Sequence, residues 1–135
     1  MFAWPVRVYY EDTDLGGVVY YANYLRFMER ARTEWLRDLG VDQTRLLEDR
    51  GLIFVIVSAE VRYIQPARFN DLLQVTVQLD GRRRTVMNFV QEIRRGTPDG
   101  DLLSQGRVQA ACVEAENFRP RPIPADIVKR LEQSG

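Results

Sequence analysis

The chain has 135 residues, balances 19 basic against 19 acidic side chains and contains no histidine. This length suits a single domain, residues 1–135, and the zero net charge gives no reason to expect nucleic acid or an anionic membrane as a partner. Without imidazole, Ser/His/Asp and Cys/His catalysis, most zinc hydrolases and histidine-dependent dehydratases are excluded.

The only cysteine, Cys112, cannot form an internal disulfide. The apolar run from Ile53 to Val57 is too short to span a bilayer, and Met1 to Pro5 shows no secretion signal. We therefore expect a cytoplasmic protein without a membrane span. Cys112 lies in an alternating strand and is expected to be a small core residue, because no histidine could activate its thiol.

The first two elements differ in their hydrophobic period. Val6, Val8 and Tyr10 alternate with other residues, which predicts a half-buried strand. After two glycines the apolar residues recur at helical spacing, which predicts a helix over about residues 22–39 with Gly40 as its stop. The apolar face of this helix consists of Leu25, Met28, Ala31, Trp35, Leu36 and Leu39.

Two charged residues, Glu29 and Arg32, lie on or beside that apolar face. Because buried charges are normally paired, we expect an ion pair between them that holds the helix against a sheet. A catalytic role for Glu29 is the alternative, although a paired glutamate is a poor base.

The rest of the chain has the pattern of strands. Four are predicted, from Ile53 to Pro66, Leu73 to Leu79, Thr85 to Arg94 and Leu102 to Glu116, joined as consecutive hairpins. The proline-rich residues 118–124 should stay outside the sheet, and residues 125–132 could form a terminal helix. The order predicts an α+β domain in which one antiparallel sheet of about five strands wraps round a single central helix.

The acidic segment Tyr10-Glu11-Asp12-Thr13-Asp14-Leu15-Gly16-Gly17 immediately precedes that helix. As a calcium loop it lacks the glutamate expected at its twelfth residue, which is Asn23, and no helix precedes it. As an aspartyl-phosphate motif it lacks the alternating strands and helices of those enzymes. From spacing alone, aspartates that cap the helix are favoured over catalytic ones, and neither is excluded.

A wider resemblance favours the catalytic interpretation. The acidic segment continues as Val18-Val19-Tyr20, Asn23-Tyr24-Leu25 and Glu29-Arg30-Ala31-Arg32-Thr33-Glu34, followed later by Arg62-Tyr63-Ile64-Gln65-Pro66-Ala67 and Asn70-Asp71. Over nearly its whole length the chain resembles the hotdog-fold acyl-CoA thioesterases, in the 4-hydroxybenzoyl-CoA thioesterase-like branch and its Tol-Pal-associated subfamily. The resemblance implies an antiparallel sheet around one long helix and the hydrolysis of short-chain or aromatic acyl-CoA.

The resemblance also implies roles for particular residues. The catalytic aspartate of the family corresponds to Asp14, and the amide that polarises the thioester carbonyl corresponds to that of Tyr21. Many Tol-Pal-associated relatives carry histidine where this chain has Tyr21, so the backbone donor is retained and a side-chain role of that histidine is lost. Candidate substrate-binding residues are Gly17, Val18, Tyr24 and Tyr63, with Arg82, Arg119 and Arg121 for the CoA phosphates.

Such a site is chemically sufficient without imidazole. The first amides of a helix have no intrahelical acceptor and can stabilise the oxyanion that forms when a thioester is attacked. Gly16 and Gly17 let the backbone approach the substrate closely. A thiol with a pKa of about 8.5 can leave as thiolate without a dedicated acid. Asp14 can then attack the carbonyl or activate water, and no metal or cofactor is needed.

The same resemblance implies a homo-oligomer, a dimer or a tetramer, with active sites at the subunit interface. Acyl-CoA is the expected partner, and acyl carrier protein is a further one. The alternative from a different functional class is a hotdog module that binds acyl-CoA or acyl carrier protein without hydrolysing it.

Overall fold

The computed structural model describes residues 1–133 and has the α+β class that the sequence predicts. Its elements in chain order are β1 (Phe2–Arg7), α1 (Asn23–Asp38), α2 (Gln43–Arg50), β2 (Leu52–Tyr63), β3 (Leu72–Arg82), β4 (Val86–Arg95), β5 (Leu102–Glu114) and α3 (Ala125–Glu132), with a turn of 3-10 helix at Tyr10–Asp12. In the described residues, no helix is long and apolar enough to cross a membrane.

The five strands form one antiparallel sheet in the order β1-β3-β4-β5-β2. The expected hairpin between β2 and β3 is therefore wrong, because β2 pairs with β5 at one edge of the sheet. Residues 64–71 carry the chain across instead, and they pair with the acidic segment through Val18 and Arg68. The pairing partner of this crossing segment lies about 50 residues earlier, so no local turn signal predicts it.

Helix α1 confirms the predicted helix to within a residue at each end and packs on the inner face of the sheet. Phe27, Met28 and Ala31 are completely buried there. A Cβ at Gly106 of β5 would lie 2.6 Å from the Met28 sulfur, so glycine lets helix and sheet approach each other. Packing of this apolar face is the main source of the stability of the helix.

One helix departs from the prediction and one follows it. Helix α2 was not predicted, because only Leu46 in it is buried and it has no apolar stripe. Its ends follow ordinary capping rules: the Asp42 carboxylate accepts the Arg45 N–H, and Gly51 adopts a left-handed conformation. Helix α3 has the predicted bounds.

Two predicted boundaries are also corrected. Strand β1 ends at Arg7 rather than continuing to Tyr10, because the Tyr9 N–H donates to the Asp12 carboxylate and the chain turns there. The proline-rich segment does pair once with β5, since Arg121 donates its N–H to the carbonyl of Cys112. Cys112 is fully buried, as expected of a core residue.

The expected ion pair between Glu29 and Arg32 is not formed, because Arg32 instead donates to Gln91 Oε1 at 2.9 Å. Gln91 is fully buried and donates to the carbonyl of Met28 at 3.1 Å. Burial lowers the pKa of Arg32, and the nearby charge of Glu29 partly offsets this effect. Glu29 accepts a hydrogen bond from the hydroxyl of Thr33. A buried amide thus supplies the acceptor that the sequence assigned to a carboxylate.

Candidate active site

The acidic segment folds into a small hairpin between β1 and α1. The Asp14 N–H donates to the Val18 carbonyl at 2.9 Å, and the Gly17 N–H donates to the Asp14 carbonyl at 3.0 Å. The second bond closes a four-residue turn that begins at Asp14. Gly17 has φ +77°, a conformation that favours glycine.

The Asp14 side chain is exposed and has a defined orientation in this turn. Its Oδ1 accepts the Gly16 N–H at 2.9 Å. A Cβ at Gly16 would lie 3.3 Å from the same oxygen, so glycine leaves the carboxylate the room that it occupies. The second carboxylate oxygen has no hydrogen-bond partner in the described part of the chain.

The hairpin is tied to the start of α1 through the carbonyl of Asp12. That oxygen accepts both the Tyr20 N–H and the Asn23 side-chain amide, each at 2.9 Å. Asp14 is two residues further on, and two residues span at most about 7 Å of chain. Asp14 and the segment that leads into α1, the two catalytic features that the resemblance implied, are therefore parts of one hydrogen-bonded loop.

The amides just before α1 are available to a ligand. Asn23 and Tyr24 donate their N–H groups to Tyr20 and Tyr21 carbonyls, whereas the N–H groups of Tyr21 and Ala22 have no acceptor within residues 1–133. Unpaired amides at a helix start favour a developing negative charge. The sequence indicated the Tyr21 amide; the Ala22 amide was missed, because its lack of an acceptor depends on how the chain enters the helix.

The tyrosines of the predicted site have different environments. Tyr21 and Tyr63 are exposed, and the Tyr63 hydroxyl donates to the Tyr21 carbonyl at 3.1 Å. Tyr24 is only 4% exposed, and its hydroxyl accepts the Ala67 N–H at 3.0 Å. Tyr24 therefore packs in the core, and its ring forms an edge-to-face contact with that of Tyr63. Val18, also predicted to bind substrate, is half-buried in the hairpin.

The three predicted phosphate-binding arginines lie far from Asp14 in the same chain. Arg82 is the last residue of β3. The first residue of β3 pairs with the last residue of β1, and β1 leads into the hairpin. Arg119 and Arg121 follow β5 beside the start of β2, whereas Tyr63 ends β2. At a rise of about 3.3 Å per residue, these strand lengths correspond to roughly 30 Å. Arg82 pairs with Glu132 and Arg121 with Glu114.

The Asp14 carboxylate is open to solvent in one chain. Asp14 is exposed, and it is absent from the lining of five surface cavities on residues 1–133. The same residues contain no cluster of three or more potential metal-ligating side chains. Asp14 thus lies on an exposed surface of the hairpin that precedes the unpaired amides.

Comparison with known proteins matches this site to a family. Residues 8–131 match the model of the thioesterase-like superfamily. The chain belongs to the thioesterase-like superfamily. It is 42% identical to the acyl-CoA thioester hydrolase YbgC of Escherichia coli over 98% of this chain and 97% of that protein. It is 34% identical to the 1,4-dihydroxy-2-naphthoyl-CoA hydrolase of Thermosynechococcus vestitus, over 87% of this chain and 79% of the other.

Solved structures of the superfamily have the same fold. A probable thioesterase from Bartonella henselae superposes with a TM-score of 0.84 at 34% identity, covering 91% of this chain and 98% of that one. The architecture is therefore that of the hotdog thioesterases, as the sequence resemblance implied. With relatives this similar over nearly the full chain, this member of the superfamily is a thioester hydrolase.

Proposed function

We propose that the protein hydrolyses acyl-CoA with Asp14 as the catalytic carboxylate and the amides before α1 as the oxyanion hole. The observation that carries the proposal is the hairpin, which orients the Asp14 carboxylate and is bonded through the Asp12 carbonyl to the segment that carries the unpaired N–H groups of Tyr21 and Ala22. The named substrates of the two relatives, acyl-CoA and 1,4-dihydroxy-2-naphthoyl-CoA, support a CoA thioester, and the second supports an aromatic acyl group. A short-chain acyl group is the other candidate substrate of this proposal.

The reaction then proceeds in two stages. Asp14, or a water molecule that it orients and deprotonates, adds to the thioester carbon, and the carbonyl oxygen becomes an oxyanion between the Tyr21 and Ala22 amides. The oxyanion collapses, the carbon–sulfur bond breaks, and CoA leaves as thiolate, which requires no acid at a thiol pKa of about 8.5. If Asp14 attacks directly, water hydrolyses the resulting anhydride.

A second copy of the chain completes the site in this proposal. Strand β2 is an edge strand of 12 residues without proline, and Ile56 and Val57 on it are 50% and 57% exposed. The opposite edge strand, β1, is shorter and contains Pro5, which limits pairing. An unpaired apolar edge of this length is well suited to pair with its own copy.

Such pairing would overcome the separation between the arginines and the hairpin within one chain. In a two-fold antiparallel pair of β2 strands, the start of one strand faces the end of the other. Arg119 and Arg121, beside the start of β2, would then approach Tyr63 and the hairpin of the other copy. The CoA phosphates bind to one subunit and the thioester to its neighbour, so the oligomer has interfacial active sites.

The decisive experiment measures thiol release from a panel of acyl-CoA and acyl carrier protein thioesters. Asp14→Asn should lower kcat at least 100-fold with the fold intact, because the amide is neither a nucleophile nor a base. Asp12→Asn is the matched control: it keeps an oxygen for the Tyr9 N–H and should stay within about threefold of the parent. Acyl-CoA binding without turnover by the unmodified protein would instead identify a non-catalytic binding module.

A single turnover in ¹⁸O-labelled water separates the two chemical routes. Direct attack by Asp14 predicts label in the Asp14 carboxylate when water opens the anhydride at that carbon. Attack by water predicts label only in the released acid.

A further inference from the structure

Three hydrogen bonds connect the end of β2 and the residues after it to the hairpin and the start of α1. The Val19 N–H donates to the Ala67 carbonyl at 2.8 Å, and the Ala67 N–H donates to the Tyr24 hydroxyl at 3.0 Å. Between these two, the Tyr63 hydroxyl donates to the Tyr21 carbonyl at 3.1 Å. The first two bonds fix the flanks of the segment that carries the unpaired amides. The third is the one side-chain bond to the middle of that segment among the described residues.

We propose that Tyr63 is a positioning residue, whose hydroxyl fixes the Tyr21 carbonyl and thereby directs the Ala22 N–H toward the substrate oxygen. The Tyr21 carbonyl and the Ala22 N–H belong to one planar peptide unit, so a bond to the oxygen orients the opposite hydrogen. Accepting a hydrogen bond also polarises that unit and strengthens its N–H as a donor. This inference rests on the proposed function of the same amides.

The surroundings of Tyr63 suit this role. Its backbone is held by pairing with Ser104 in β5, and its ring packs edge-on against Tyr24 at 5.2 Å and Tyr21 at 6.3 Å between centroids. Burial, followed by the neighbouring Tyr24 and Tyr21, raises the pKa of Tyr63, so the hydroxyl stays protonated as a donor at neutral and mildly alkaline pH. The Tyr24 N–H also donates to the Tyr21 carbonyl, at a longer distance of 3.3 Å.

A positioning role predicts a particular kinetic signature. The amides stabilise charge that exists only in the transition state, so loss of their alignment should lower kcat and leave KM nearly unchanged. A neutral hydrogen bond of ordinary strength corresponds to a decrease of about three- to tenfold. A residue that only contacts substrate would raise KM instead.

Tyr63→Phe tests this, because phenylalanine keeps the ring contacts and removes only the hydroxyl. Tyr10→Phe is the matched control: the Tyr10 ring is 82% exposed, and its hydroxyl has no partner within residues 1–133. We expect kcat to fall three- to tenfold in Tyr63→Phe alone, with KM within twofold. In the ligand-free protein, the backbone amide ¹H and ¹⁵N resonances of Tyr21 and Ala22 should shift in Tyr63→Phe and not in Tyr10→Phe.

Unchanged kcat in Tyr63→Phe, or unchanged amide resonances, would overturn the inference. The resonances do not depend on hydrolysis. If the parent protein releases no thiol while the amide resonances shift as expected, the proposed function fails and the positioning contact stands.

Discussion

The two glycines of the hairpin should respond differently to alanine. In Gly16→Ala the new Cβ lies 3.3 Å from Asp14 Oδ1, closer than an ordinary contact, so the carboxylate has to move by roughly 0.3 Å. Misplacement of a catalytic group by 1 Å costs about 100-fold, so we expect kcat to fall about two- to fivefold. Loss of backbone freedom in the unfolded chain offsets a weakened turn hydrogen bond, so Tm should change by less than about 2 °C.

Gly17→Ala tests stability instead, because a Cβ there meets nothing within 4 Å while φ is +77°. The left-handed conformation costs a non-glycine residue about 1 kcal/mol, which lowers Tm by about 4 °C in a chain of this size. Steady-state thiol release for Gly16→Ala and thermal unfolding of both variants provide the data. Equal kcat in Gly16→Ala and the parent would refute the assignment of the carboxylate position to Gly16.

Further predictions concern the core, the surface and the sheet edge. Gln91→Leu should destabilise the fold by about 1–3 kcal/mol in chemical unfolding, because Arg32 loses its acceptor, and an unchanged free energy of unfolding would contradict this. The hydrogen bonds from Arg50 lower the pKa of Asp126 below its usual 3.8, so this pair stabilises the fold above that pH and ceases to do so as pH falls below it. Arg50→Met should therefore raise the Asp126 pKa in a carboxyl NMR titration and lower Tm at pH 6 but not at pH 2; equal curves would contradict this. Val57→Lys should reduce the mass measured by light scattering, because a charged edge strand pairs poorly, and an unchanged mass would exclude β2 as the interface.

Sequence patterns predicted what depends on local chemistry. The bounds of α1 and α3 followed from apolar spacing and a glycine stop, and the strands β3 to β5 followed from period-two alternation between turns. The pairing of β2 with β5 was missed, because the prediction joined strands that are neighbours in sequence as hairpins. The segment that follows β2 instead pairs with the acidic hairpin, which is distant in sequence.

The candidate site was also predictable only in part. The carboxylate and the helix start are close in sequence, but spacing alone favoured a helix cap there, and the resemblance to the thioesterases indicated the catalytic role of Asp14. The contact from Tyr63 to Tyr21 joins residues 42 apart, and the role of Gln91 as acceptor for Arg32 joins residues 59 apart. Neither contact is encoded in a local pattern, so each depends on the final packing of the helix on the sheet.

In the proposed assembly, the separation between the arginines and the carboxylate would make the activity depend on two copies of the chain. If one copy binds the phosphates of a CoA ester that its neighbour cleaves, a diluted, dissociated chain retains its fold and loses affinity for the nucleotide end. Specific activity should then fall as enzyme concentration decreases, and the loss should appear in kcat/KM for CoA esters. Esters of the bare pantetheine thiol, which have no nucleotide, should be affected far less.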